Sequence, residues 1–84
     1  MTYDNEMECM MLYLKDRIPG YPFDERKDVL FVNQLIEDFP DVDYLDELKS
    51  FRVWLLDRDD YKPKHFRSAI LKWFRQAERY NGHR

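Results

Sequence analysis

Residues 61–82 read YKPKHFRSAILKWFRQAERYNG, a stretch crowded with basic and aromatic residues. Phe66, Ile70, Trp73, Ala77 and Tyr80 recur at helical spacing, with Ala69 and Phe74 beside them, which predicts one apolar stripe on an α-helix. Pro63 suits a first-turn position, where its missing N–H costs nothing. Asn81-Gly82 suits the stop, because both residues tolerate the left-handed conformation. Turning roughly 100° per residue from Phe66 at 0°, the apolar set lies within about 80° on either side, and Lys64, Lys72, Arg75 and Arg79 fall at about 160–240°. Arg67 and Glu78 sit between the two faces. Aromatic and basic groups thus occupy opposite sides, so the aromatics read as core and not as base-stacking platforms interleaved with phosphate contacts. Leu71 is an apolar residue inside the basic face: either an ordinary exposed Leu or a partner contact.

Working back toward the N-terminus, Pro19, Pro22, Pro40 and Pro63 divide the chain into four segments. None alternates apolar and polar residues over strand length, so all four read as helices. Tyr3, Met7, Met10, Leu14 and Ile18 make a stripe that starts after Asp4 as N-cap and breaks at "IPGYP". Asp24 caps a second helix carrying Phe31, Leu35 and Phe39, with Val29, Leu30, Val32 and Ile36 beside them; Pro40 stops it. Asp43 caps a third, with Tyr44, Leu48, Phe51 and Leu55 in line and Leu45, Trp54 and Leu56 at its edges. Asp46 and Glu47 suit the positive end of its dipole, as Glu6 and Glu8 do in the first. The expected fold is an all-α, single-domain bundle over residues 1–84, with helices at about 5–17, 25–38, 44–57 and 63–80. Trp54, Trp73, Phe51, Phe66, Ile70, Leu48, Leu35 and Phe31 are expected to share one core, with Trp73→Ala costing roughly 3–5 kcal/mol.

The chain has 84 residues, of which 44% are apolar, 17% aromatic and 37% charged. That is room for one domain, and too much apolar surface for a disordered tail. The single cysteine, Cys9, excludes an intrachain disulfide and suits a reducing compartment. It reads as a small buried apolar residue before it reads as a reactive thiol. Cys9, His65 and His83 do not have zinc-site spacing. No apolar run approaches the ~20 residues of a membrane span, and the acidic start does not read as a secretory signal. The expectation is a soluble cytoplasmic protein. Charge is uneven along the chain: residues 1–60 hold 16 acidic and 7 basic residues, net −9, whereas residues 61–84 hold 1 and 7, net +6, for −3 in all. Two electrostatically distinct surfaces are the result.

Residues 41–77, DVDYLDELKSFRVWLLDRDDYKPKHFRSAILKWFRQA, resemble the C-terminal segment of many phage and mobile-element replication initiation or primosome-type proteins. Those segments carry an acidic–aliphatic helix ending in Trp-Leu, a short basic linker, and a final helix with Trp, a bulky apolar residue and a base. Here that resembles Leu45, Leu48, Trp54 and Leu55, then Lys62 and Lys64, then Ile70, Trp73, Phe74 and Arg75. The likeness covers about residues 41–78 and lacks the winged-helix or ATPase parts that usually accompany it. It implies an accessory module near phage or mobile-element DNA replication.

An enzyme is not expected. Two glycines leave no phosphate-cradling loop, no His pairs with Ser or Cys in a recognisable motif, and the carboxylates sit at helix starts, where capping explains them. No cofactor, metal, membrane or small-molecule substrate is expected. The leading expectation is a protein-interaction module, with a replication protein or a second copy as partner. The alternative is nucleic-acid binding through the last helix. Both readings place the contact at Lys62, Lys64, Arg67, Leu71, Lys72, Arg75 and Arg79. About four to six phosphate contacts would give a log–log salt slope near −4 to −5. The "DRDDYKPK" connection is too long and polar for a helix-turn-helix.

Overall fold

The computed structural model describes residues 5–58 and 63–81, and the chain is an all-α bundle of four helices. They are α1 (Asn5–Arg17), α2 (Glu25–Asp38), α3 (Tyr44–Leu56) and α4 (Phe66–Asn81). The expected Asp4 cap, Tyr3, Lys62 and the Gly82 stop lie outside the described residues, as does the side chain of Tyr80.

The two caps read from sequence and described here are formed. Asp24 Oδ1 accepts from the Lys27 N–H at 3.1 Å, and Asp43 Oδ1 accepts from the Asp46 N–H at 3.2 Å. Each satisfies one of the donors a helix start leaves without an intrahelical partner. Gly20 ends the first turn with φ of +79°, the left-handed region that a Cβ disfavours. α4 starts three residues later than expected. The Ala69 N–H donates to the His65 carbonyl at 3.0 Å, so His65 is the capping residue, and Pro63 lies before the helix and is buried.

The helices form a ring in the order α1, α2, α4, α3. α2 and α4 run parallel: Arg67 meets Asp28 near their starts, and Phe74 meets Phe39 toward their far ends. α3 and α4 run antiparallel, with Trp73 against Glu47 and Phe51. The α2–α3 connection therefore crosses one end of the bundle, and it is apolar enough to seal it. Phe39 and Val42 are buried there, and the Tyr44 hydroxyl donates to the Ile36 carbonyl at 3.2 Å. Ile18 and the ring of Tyr21, packed edge-on to Phe66 at 5.7 Å, serve the opposite end.

The core is one cluster. Met10, Leu14, Val32, Leu35, Leu48, Phe51, Ile70 and Phe74 are its most deeply buried members. Several sequence expectations need correction at its edges. Trp54, Trp73 and Phe31 are half-buried and pack on the cluster from outside. In α2 the buried line is Asp28, Val32, Leu35 and Phe39, one step round from Phe31, and Leu30 is exposed. Leu56 is exposed, and so is Cys9, against the expectation of a buried thiol. In α4 the buried residues are Phe66, Ile70 and Phe74. They centre the inward face roughly 40° beyond Phe66, on Ile70, which brings Phe74 well inside it and leaves Trp73 at the flank. Leu71 is half-buried and packs on the same cluster.

Candidate functional site

Two polar arrangements stand out, one buried and one open. The buried one is built on Asp28, whose side chain is fully enclosed. A carboxylate cannot be buried unless it is paired and hydrogen-bonded. Arg67 approaches it as a fork, Nε to Oδ1 at 3.0 Å and Nη2 to Oδ2 at 2.9 Å, and the same Nη2 donates to the Pro22 carbonyl at 2.9 Å. The Asp24 N–H donates to Oδ2 at 2.9 Å, and the Tyr21 hydroxyl donates to Oδ1. The Arg67 guanidinium also lies 5.2 Å from the Tyr21 ring centroid. With Asp24 capping through Lys27, the start of α2 is a reciprocal capping arrangement, its returning carboxylate one residue later than in the usual motif.

Burial pushes the Asp28 carboxyl up, but the hydrogen bonds from Arg67, the Asp24 N–H and Tyr21 outweigh it and hold it below the ordinary carboxylate value. Burial and the bond to Asp28 raise Tyr21 far above an ordinary phenol. The bond to Asp28 also raises Arg67. Every partner is matched, and among the described residues no buried side-chain polar atom is left without one. The cluster joins the α1–α2 connection, α2 and α4. It is a structural clamp.

The open arrangement is a groove of about 490 Å³ between α3 and α4. Phe51, Trp54 and Trp73 form its floor, and Lys64, His65 and Lys72 stand on its rim, with Ser68 and Gln76 adding polar groups. The floor is a fixed aromatic cluster. Phe51 and Trp54 are stacked with centroids 5.8 Å apart, and Trp73 meets both edge-on at 5.6 and 5.9 Å. The Trp73 indole N–H donates to Glu47 Oε1 at 2.9 Å, and the Arg58 guanidinium sits 4.4 Å over Trp54. Such packed aromatics hold one another's rotamers and need little further ordering on contact.

The expected contact residues separate. Lys64 and Lys72 come to the groove. Lys64 does so because it precedes the helix and does not follow the α4 spacing. Arg75 and Arg79 are exposed further along α4 and do not line the groove. Arg67 is turned inward to Asp28, Leu71 packs on the core, and Lys62 lies outside the described residues. Sequence reading offers His65 as a hydrogen-bonding neighbour of the basic residues, but it misses Trp54 and Trp73 as groove residues by placing both in the core. It also misses Asp28, which looks like one more helix-start acid. A signal for Asp28 is present: it sits four residues before Val32 and seven before Leu35, on the buried line of α2.

Among the described residues no group of three or more His, Cys, Asp or Glu could hold a metal ion, and no helix is long and apolar enough to cross a membrane. Comparison of the chain with protein-family models, curated proteins and solved structures finds no match.

Proposed function

We propose that the chain is a non-enzymatic protein-interaction module, and that the α3–α4 groove takes an acidic segment of a partner protein bearing an apolar anchor. The supporting observation is the pairing of an aromatic floor with a basic rim in one concave surface. The floor offers apolar area to a Leu, Phe or Pro side chain, and Lys64 and Lys72 offer charge to flanking carboxylates. Aromatic anchors in a pocket with a charged rim are where binding energy concentrates at protein interfaces. The half-exposed Trp54 and Trp73 fit this role better than a purely structural one, because a solvent-facing aromatic cluster is otherwise a liability.

Nucleic acid is the less favoured occupant. Base stacking needs open ring faces, whereas Trp54 already carries Phe51 and Arg58 against it and Trp73 is tied to Glu47. Arg67 is no longer free for a phosphate. Of the expected contact residues, Lys64, Lys72, Arg75 and Arg79 remain, and four phosphate contacts give a salt slope near −3.6 on a duplex and about −2.8 on a single strand. The resemblance over residues 41–78 directs the choice of partner toward a DNA-replication protein of a phage or mobile element, and it rests on those residues alone.

The test is calorimetric titration with peptides that alternate Asp or Glu with Leu or Phe, run beside a single-stranded oligonucleotide at low salt. The reading expects peptide binding that is lost in Lys64→Glu/Lys72→Glu and kept in Arg75→Glu/Arg79→Glu. Oligonucleotide binding with a steep salt slope, lost in the second double variant, would overturn it in favour of the nucleic-acid reading.

A further inference from the structure

α1 and α3 lie side by side and run parallel. Near their starts, Glu6 shares a hollow with Asp43 and Leu45, and toward their ends Arg52 Nε donates to the Arg17 carbonyl at 2.8 Å. Their outward surfaces therefore make one face, on the other side of α3 from the groove. That face is unusually apolar for a solvated surface. Leu12 is 51% exposed, Val53 56% and Leu56 51%. Leu45, Lys49, Val53 and Leu56 fall within roughly 80° around α3, and Cys9, Leu12, Tyr13 and Asp16 within roughly 100° around α1. The outer face of a bundle helix is normally polar. Three large apolar residues exposed on two adjacent helices mark a contact surface.

The charges on this face indicate what covers it. A shallow hollow of about 360 Å³ runs between the helices, with Asp16 and Arg17 of α1 and Lys49 of α3 among the residues lining it. None of the three forms an ion pair, since the described residues contain one, between Arg67 and Asp28. An acid and a base on α1 and a base on α3 give the face both signs, so it can complement itself. A two-fold axis through such a face brings each Asp16 to the partner's Lys49 and pairs both at once, while the apolar residues meet at the centre. A partner of a single charge sign would leave either Asp16 or the two bases unmatched.

We propose that the α1–α3 face is the contact surface for a second copy of the chain in an isologous dimer. The α3–α4 groove stays open in this arrangement, so the dimer stands independently of the groove's ligand.

Sedimentation equilibrium from micromolar to millimolar concentration tests it. The expected result is a mass rising toward twice that of the chain, with Leu12→Glu and Val53→Glu each weakening association by about tenfold or more. Asp16→Lys and Lys49→Asp each weaken it, and the two combined in one chain restore it. Leu30→Glu, on the exposed surface of α2, and Lys72→Glu, in the groove, leave it unchanged. Cys9 supplies a second readout, since its alkylation should slow as the protein is concentrated. All these positions are exposed, and circular dichroism checks each variant's fold. A monomeric mass over the whole range, or a dimer indifferent to Leu12→Glu and Val53→Glu, overturns the proposal.

Discussion

At the scale of the single residue, Asp28 carries the largest electrostatic stake among the described residues, as the one buried charge there. Removing one member of a buried ion pair leaves the other uncompensated, at a typical cost of about 3–5 kcal/mol. The Arg67 side chain is 26% exposed and recovers part of its hydration, so Asp28→Asn is expected to cost about 2–4 kcal/mol in urea denaturation. Arg67→Lys keeps the charge and loses the fork and the bond to Pro22; about 1–2 kcal/mol is expected. If Arg67→Lys cost nothing, the planar geometry of the guanidinium would have no bearing on stability. This residue pair also marks the limit of sequence reading. Arg67 lies 39 positions from Asp28, and its angle on α4 places it between the apolar and basic faces. Nothing local says which way a long side chain at such a border turns. That is set by the carboxylate brought to it across the bundle.

At the scale of the element, the positions of the helices are legible in the sequence to within a residue or so, except at the start of α4. Periodicity and caps are local physics, and Asp24 and Asp43 announce themselves by residue type and by the helical run behind each. The facing of each helix is less legible. A stripe drawn through every apolar residue of α4 includes Trp73, whereas the helix turns its buried face toward the Phe74 side, where the α2 side of the ring holds Phe39 and the Tyr44 ring stacks at 6.1 Å. The two adjacent aromatics are thereby separated in energy. Phe74→Ala empties a fully enclosed site and is expected to cost about 3–5 kcal/mol. Trp73→Ala, at the flank, is expected to cost about half as much, which replaces the larger figure expected from sequence. Comparable losses in chemical denaturation would put Trp73 back inside. The turn before α2 gives another case. A Cβ on Gly20 would meet Phe66 Cζ at 3.6 Å, an ordinary contact. Gly20→Ala therefore costs only its positive φ, about 1–2 kcal/mol, and a larger loss would mean that the α1–α2 connection cannot shift.

At the scale of the whole molecule, the same buried clamp sets the pH range of the fold. Asp28 titrates lower in the folded chain than unfolded. Its contribution is present above about pH 4, the unfolded carboxylate value, and is lost as pH falls through the lower folded value. Tyr21 is held neutral to higher pH than a free phenol. Its contribution is present below about pH 10 and is lost as pH rises beyond that. Stability should therefore form a plateau bounded on both sides by one cluster. Asp28→Asn should flatten the acid limb and Tyr21→Phe the alkaline limb, as seen in thermal melts across pH. Limbs unchanged by these substitutions would assign the pH dependence to surface groups. The ring order and the second interaction face are out of reach of sequence. The first depends on which connections are buried, Phe39 and Val42 above all. The second depends on α1 and α3 becoming neighbours although α2 separates them in the chain.

The composition of the groove has an optical consequence. The chain holds two tryptophans, Trp54 and Trp73, and both are in the groove floor with ring centroids 5.9 Å apart. The whole indole emission of the protein therefore originates in one place, from two chromophores close enough to exchange excitation. Arg58 above one ring and Glu47 on the N–H of the other fix the local field that sets its colour. A molecule entering the groove should shift and quench this emission, while a dimer formed through α1 and α3 should leave it unchanged. The protein carries its own spectroscopic label, confined to the surface whose occupant is sought.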